Sequence, residues 1–267
     1  MTGAGEGRVG RVLRGLRLQR RVVHALLLRE MQTRFGRQQL GFVWLFIEPL
    51  LLASAISAFK WATDGGQTYP GLSVFIVSLV SYLPYFCFRA IVGRAPGSLR
   101  QNMSLLYHAR IKLLDVVLAR HALEAGAVLT VMALIAVGVV FWAGVVPANI
   151  PILFLGLLLL FLFSNGLGLM AAAAAAVWPM AERLIQPAVY LSLPVSGALL
   201  ALHVLDPALR AILLWNPQAH IHEMIRDGFF GAALPSYYSI AYVFFWTGLF
   251  NLVGLAALRA VRPSLEF

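Results

Sequence analysis

The chain has one cysteine, two lysines, and charge on only 12% of its 267 residues. A single thiol excludes an internal disulfide framework and any site built from several thiolates, and Cys87 stands in an apolar run where an inert, buried thiol is expected. The two lysines, Lys60 and Lys112, exclude a phosphate-cradling Gly-x-x-x-x-Gly-Lys-Ser/Thr loop, because neither stands in that frame. The shortage of charge excludes most: soluble domains carry charge on about a quarter of their residues. With 60% hydrophobic residues and a mean hydropathy of +0.81, this chain cannot clothe the surface its core would leave. The surplus apolar surface must face lipid. No short apolar core with a small-residue cleavage site precedes the first long apolar run, which begins near Leu40, so the first span is expected to stay in the mature protein.

Acidic residues are scarce as well, 11 against 21 basic ones, for a net charge of +10. That surplus does not point to nucleic acid, because the arginines are not interleaved with stacking aromatics but gather at the ends of apolar segments. Their placement is a topology signal. Six segments are long enough to cross about 30 Å of hydrocarbon as helices: Leu40–Trp61, Leu72–Val92, Val116–Val146, Ile150–Val177, Leu184–Val204 and Tyr238–Leu258. Pro147 and Pro151 separate the third and fourth, which read as a hairpin. With both termini in the cytoplasm, only Lys60, Arg210 and Arg226 fall outside, whereas Arg29, Arg89, Arg94, Arg100, Arg120, Arg183 and the other basic residues stay inside. The expected fold is therefore all-α. An interface helix (1–39) precedes a single six-span domain (40–267), which carries a cytoplasmic coupling loop at 94–112 and two short re-entrant helices in a periplasmic segment at 205–236.

In the N-terminal segment Arg8, Arg11, Arg14 and Arg17 recur every third residue while Val9, Val12, Leu13 and Leu16 fill the other side, which reads as a surface-lying amphipathic helix. Its cationic face suits anionic headgroups or a lipid anchor, at about 1 kcal/mol per basic residue. A basic tail without structure is the alternative, since Gly3, Gly5, Gly7 and Gly10 weaken the start. The 205–236 segment holds Trp215, Asn216, Pro217, His220, Glu223 and Arg226 among apolar groups, too polar for a span and too apolar for a solvated loop. Short helices dipping back into the outer leaflet resolve that conflict, with Trp215, Tyr237 and Tyr238 at headgroup level.

Glu48 lies about two turns inside the first span, where a carboxylate is costly unless it faces protein or water. It reads either as a functional group or as a structural partner across an interface. Trp44, Phe59 and Trp61 in the first span and Tyr82, Tyr85 and Phe86 in the second offer flat faces along which a sugar chain can slide; lipid-facing packing explains the same residues. His220, His222 and Glu223 do not suggest a metal, since helical neighbours two apart do not share a face and no third ligand stands at zinc spacing. Gly166, Gly168 and Ala171 to Ala176 read as a small-residue face for close helix approach.

The run from Leu26 to Pro49, with Arg29, Glu30, Thr33, Arg34, Phe35, Gly36, Leu40, Gly41, Trp44, Glu48 and Pro49, resembles the membrane-approach sequence of type-2 ABC exporter permeases, and most specifically the capsular polysaccharide export (KpsM-like) group. Two further stretches agree in order and spacing. Asn102 to Glu124, with Leu105, Leu106, Tyr107, Lys112, Asp115, Ala119, Arg120 and Glu124, is similar to the family's cytoplasmic loop and third span; Leu213 to Arg226 is similar to the stretch before its last span. The chain departs from the pattern at Ala109 and Leu113, where prolines are usual.

The resemblance implies a permease subunit of the bacterial inner membrane that moves lipid-linked capsular polysaccharide to the periplasm. It implies a homodimer and two ATP-binding cassette subunits that carry the ATP and Mg, since this chain is expected to hold no cofactor, together with periplasmic and outer-membrane export components. Coupling to the ATPase falls on Arg29, Glu30, Arg34, Arg94, Arg100, Leu105 and Tyr107; the pathway falls on Trp44, Glu48 and the span aromatics. Related permeases carry O-antigen or teichoic acid, which stands as the alternative. A membrane-embedded glycan-modifying enzyme is a weaker one, because it needs converging acid, base or nucleophile groups, and Glu48 and Glu124 read as scattered on opposite sides. A secondary transporter would show paired repeats with broken helices.

Overall fold

The structure, a computed structural model, describes residues 19, 21–31, 39–64, 69, 71–102 and 112–265. Everything regular among them is helical. In chain order the helices are α1 (21–31), α2 (Gln39–Asp64), α3 (Val74–Arg94), α4 (Gly97–Arg100), α5 (Leu113–Ala143), α6 (Ile150–Val177), α7 (Met180–Leu191), α8 (Pro207–Leu213), α9 (Pro217–Phe230) and α10 (Ile240–Leu265), with 3-10 turns at Leu202–Val204 and Gly231–Ala233.

Among the described residues four helices, α3, α5, α6 and α10, are long and apolar enough to cross a membrane, and α2 adds a 26-residue helix with an apolar stretch at Leu50–Thr63. The α5–α6 hairpin forms as the prolines predict. Gly144 closes α5 in the left-handed region at φ 67°, so the helix ends at Ala143, three residues before the expected end, and Asn149 caps α6 by accepting from the Ile152 N–H at 3.3 Å.

The fifth expected span is the correction. Leu184–Val204 is not one helix: α7 ends at Leu191, and the chain runs through turns and bends before the 3-10 turn at Leu202–Val204. The reason is local chemistry. Pro194 cannot continue a helix, and Gly197 adopts φ 76°, a conformation an L side chain resists. Apolarity alone gave the length; the breakers divide it.

The core sits between α3, α5, α6, α9 and α10, with Tyr85, Ile91, Val128, Leu159, Leu160, Ile221 and Met224 almost wholly buried. The small-residue face works as expected: a Cβ on Gly166 would lie 2.8 Å from Asn251 N, and one on Gly254 would lie 2.7 Å from Gly166 O, so α6 and α10 cross backbone to backbone. Ala171, Ala172, Ala173 and Ala175 are buried below that crossing. In α9, Gly228 lies against Leu153, where a Cβ would meet backbone at 2.6 Å.

Two smaller clusters mark the ends of the bundle. One joins Ala95, Leu99, Val117, Leu169, Leu258 and Val261; the other joins Tyr69, Ile76, Val139, Phe229 and Leu234. Lys60, near the second, donates to the Tyr69 hydroxyl at 3.0 Å.

Candidate functional site

At the end marked by Leu99 and Val117, five pieces of chain meet through charged and amide side chains. Helix α1 turns Val22, Val23, Leu26, Leu27 and Glu30 inward and keeps Arg21, Leu28 and Arg29 exposed, a three-and-four spacing that lays one stripe on the bundle. Arg29 donates to Asn102 at 3.3 Å, Glu30 pairs with Arg120 at 3.5 Å, and Gln19 donates to Asp115 at 2.8 Å. Helix α4 stands between α3 and α5 and reaches α7 through Arg100 and Glu182 at 3.4 Å. At the foot of α3, Arg94 pairs with the buried Glu124 of α5 at 2.6 Å, and Gln186 of α7 donates to the Gly93 carbonyl at 2.6 Å. Thus Arg29, Glu30, Arg94 and Arg100 of the expected coupling set are brought to one surface. Arg34, Leu105 and Tyr107, like Arg8, Arg11, Arg14 and Arg17, lie outside the described residues.

Glu48 meets Arg89 of α3, which donates to its Oε1. Arg89 also donates to the Tyr190 hydroxyl at 2.9 Å and lies over the rings of Phe86 and Tyr190, at 4.7 and 5.2 Å from their centroids. In the sequence Arg89 reads only as a topology charge. The missed signal was its position inside the expected second span, where a cation and the carboxylate of the first span each need the other. Glu48 and Glu124 are likewise not on opposite sides: Arg89 and Arg94, five residues apart on α3, hold them at the same end. They do not converge, since each carboxylate has its own arginine.

The expected pathway aromatics divide into two groups. Trp44, Phe59 and Trp61 point outward from α2, exposed by 56, 70 and 69%, whereas Tyr82, Tyr85 and Phe86 of α3 are in the core. The tilted contacts Tyr82–Tyr85, Tyr85–Phe88 and Phe88–Phe163 form a buried row. The structure therefore does not line one surface with all six rings.

The segment before α10 contains the two short helices the sequence suggests, α8 and α9. Asn216 caps α9 through the Gln218 N–H at 3.0 Å, with Pro217 in its first turn. Glu223 and Arg226, one turn apart and about 1% exposed, form an ion pair whose other bonds go to backbone. Glu223 accepts from Leu202 N and Tyr237 N, each at 3.0 Å, and Arg226 donates to the Gly197 carbonyl at 2.7 Å. One pair thereby ties the broken stretch after α7, the 3-10 turn and the approach to α10 onto α9. His220 accepts the Ser239 N–H on Nδ1 at 3.0 Å and bonds the Leu214 carbonyl through Nε2 at 2.8 Å; His222 bonds the Gln218 carbonyl at 2.9 Å. Burial lowers both imidazoles, His222 to about 3. Tyr238 donates its hydroxyl to the Asp227 carboxylate at 2.7 Å. Trp215 is 82% exposed, and its carbonyl accepts from the Tyr242 hydroxyl at 2.8 Å.

Known proteins place this architecture. Residues 21–230 match the family described as ABC-2 type transporter. The capsule polysaccharide export inner-membrane protein CtrC of Neisseria meningitidis serogroup B is 33% identical over 252 residues, 94% of this chain and 95% of that protein. The capsule polysaccharide export inner-membrane protein BexB of Haemophilus influenzae is 33% identical over 94% of this chain and 95% of its own length, and the polysialic acid transport protein KpsM of Escherichia coli is 29% identical over 94% and 97%. The match runs from the docked helix α1 through α9, so it takes in the ionic end of the bundle and the Glu223–Arg226 knot alike: the chain belongs to the ABC-2 type transporter family, as a membrane permease subunit.

Proposed function

We propose that this chain is the inner-membrane permease of an ATP-driven exporter of capsular polysaccharide, working as a homodimer with two ATP-binding cassette subunits and handing its lipid-linked substrate to periplasmic and outer-membrane components. The observation that carries the reading is the ionic end of the bundle, in a chain similar over about 94% of its length to capsule export proteins. There α1, α4 and the first turns of α5 interlock through Arg29–Asn102, Glu30–Arg120 and Gln19–Asp115. A partner that pushes on α4 or α1 moves α3 and α5 with it, because Arg94–Glu124 ties those helices at the same level. ATP and its Mg belong to the partner.

In this reading the chain crosses the membrane six times with both termini in the cytoplasm, α7 and the broken stretch after it forming the fifth passage. Helices α8 and α9 dip into the outer leaflet without crossing, held by the Glu223–Arg226 knot. Polymers of the O-antigen or teichoic acid type are alternative cargo, and a glycan-modifying enzyme is the least supported reading, because Glu48 and Glu124 are each held by an arginine and do not converge on a reacting atom.

Co-purification and export test this. Expressed in its native setting, the chain is expected to carry an ATP-binding cassette subunit through detergent extraction, and its deletion to leave lipid-linked capsular polymer inside the cell. Export by the purified chain reconstituted without an ATPase would sink the proposal. Arg120→Gln, which removes a partner of Glu30, is expected to preserve assembly of the spans but reduce ATPase retention and export together.

A further inference from the structure

We propose that Arg89 is a binding site for the phosphate of a lipid-borne headgroup, with Glu48 as the internal anion that this phosphate displaces. The inference rests on the exporter reading and names the chemistry its pathway recognises.

The geometry of the guanidinium carries it. Arg89 donates to Glu48 Oε1 through one terminal nitrogen and to the Tyr190 hydroxyl through the other, while its Cζ lies over the rings of Phe86 and Tyr190. A guanidinium has five N–H donors in a flat fork that matches two oxygens of one phosphate. Glu48 meets that fork with a single oxygen and a neighbouring helix supplies it, so a two-oxygen anion can replace it with more hydrogen bonds to the guanidinium.

Access and depth agree. The Arg89 side chain is 12% exposed and that of Glu48 21%, and Tyr190 at the margin is 55% exposed, so the pair opens to the outside along the Tyr190 edge. The buried Glu223–Arg226 pair, at 1% for each partner, has no such edge. Arg89 lies five residues from Arg94, about 7.5 Å along the helix from the ionic end of the bundle, a depth a headgroup in the adjacent leaflet reaches with its chains still in hydrocarbon. A cation this far inside a span needs a counterion at every moment, and exchange of Glu48 for a phosphate meets that condition. It would also remove the ionic bridge that Glu48 and Arg89 make between α2 and α3.

The test uses the complex of permease and ATPase in phosphatidylcholine nanodiscs, titrated calorimetrically with dodecyl phosphate as the probe and dodecyl maltoside as the neutral control. Wild type is expected to bind the phosphate saturably and not the maltoside. Glu48→Gln removes the competing anion and is expected to tighten binding by about tenfold, whereas Arg89→Gln abolishes it and Arg89→Lys, a point charge without the fork, weakens it. Binding by Glu48→Gln no tighter than wild type, or by folded Arg89→Gln equal to wild type, overturns the inference. Should Arg89→Gln not fold, the Glu48→Gln comparison alone decides. Loss of probe binding as phosphatidylglycerol replaces phosphatidylcholine assigns the site to the bilayer's own headgroups; retention assigns it to the lipid of the carried glycan. A complex that exports glycan yet fails the titration sinks this inference and leaves the exporter reading standing; a complex that exports nothing sinks that reading, whatever the titration shows.

Discussion

Two of the arginine–glutamate pairs among the described residues, Glu223–Arg226 and Glu48–Arg89, are built in opposite ways. Glu223 and Arg226 stand one turn apart on α9, are sealed, and bond backbone groups of three other segments. Glu48 and Arg89 stand on two helices, meet through one carboxylate oxygen, and keep a margin open at Tyr190. A sealed pair bonded to backbone has one arrangement. It serves as a staple for irregular chain that cannot satisfy its own N–H and C=O groups in an apolar setting. A pair that bridges two helices and opens on one side has an alternative partner within reach, and its helices can separate without exposing orphan backbone.

Breaking the staple is the largest effect expected. Glu223→Gln leaves Arg226 buried without its charge partner and weakens the acceptors for Leu202 and Tyr237, which should cost about 3–5 kcal/mol. A loss of that size appears as a collapse in the yield of monodisperse protein and a large fall in melting temperature in detergent. If Glu223→Gln melts within a degree of wild type, the knot is not a staple and the contrast with Glu48 fails.

A pH series probes the same region without mutation. His222 is held neutral by burial, at about 3, well under its ordinary value. A histidine with a lowered folded pKa contributes stability that is present above the unfolded value near 6.5 and lost as pH falls below it. At pH 5 one such histidine costs about 2 kcal/mol. The melting temperature of the complex is therefore expected to drop between pH 7 and pH 5, and His222→Gln to flatten that drop. An identical slope in the variant would remove His222 from the account.

Glu48→Gln should be milder, about 1–2 kcal/mol, because Arg89 keeps the Tyr190 hydroxyl, both ring faces and some contact with its surroundings. A loss as large as that of Glu223→Gln would show that the open pair is as structural as the closed one. The contrast would then be one of exposure alone.

How much of this could be read from the sequence follows from the range of each interaction. Glu48 was conspicuous because a carboxylate inside an apolar run breaks a local rule, and the α5–α6 hairpin was legible because Pro147, Asn149 and Pro151 act on their immediate neighbours. The small residues of α6 announced a close crossing, although not that Gly254 would be opposite Gly166. Arg89 was hidden, since its partner lies 41 residues away and composition says nothing of which helix faces which. The fifth span failed for a readable reason: Pro194 and Gly197 stand inside it, and average apolarity outweighed them in setting its length. For Glu223 and Arg226 the i, i+3 spacing was visible, but their bonds go to backbone from 14 to 29 residues away, and no side-chain pattern records backbone acceptors.

The smallest effect separates stability from coupling. Arg100 and Glu182 pair at 3.4 Å with side chains 51 and 43% exposed, a geometry for which solvent screening leaves under about 1 kcal/mol, and less at high salt. Arg100→Gln is accordingly expected to leave the melting temperature within a degree or two of wild type. Arg100 also ends α4, the short helix placed between α3, α5 and α7 at the ionic end, where the ATPase is proposed to press. If that helix transmits the stroke, Arg100→Gln lowers ATP-driven export several-fold while the variant folds, assembles and hydrolyses ATP at the basal rate. Unchanged export would confine transmission to α1 and the Arg94–Glu124 tie. A parallel loss of stability would mean that the pair contributes to the fold as Glu223–Arg226 does, despite its exposure, and that exposure is the wrong axis along which to sort the charges of this bundle.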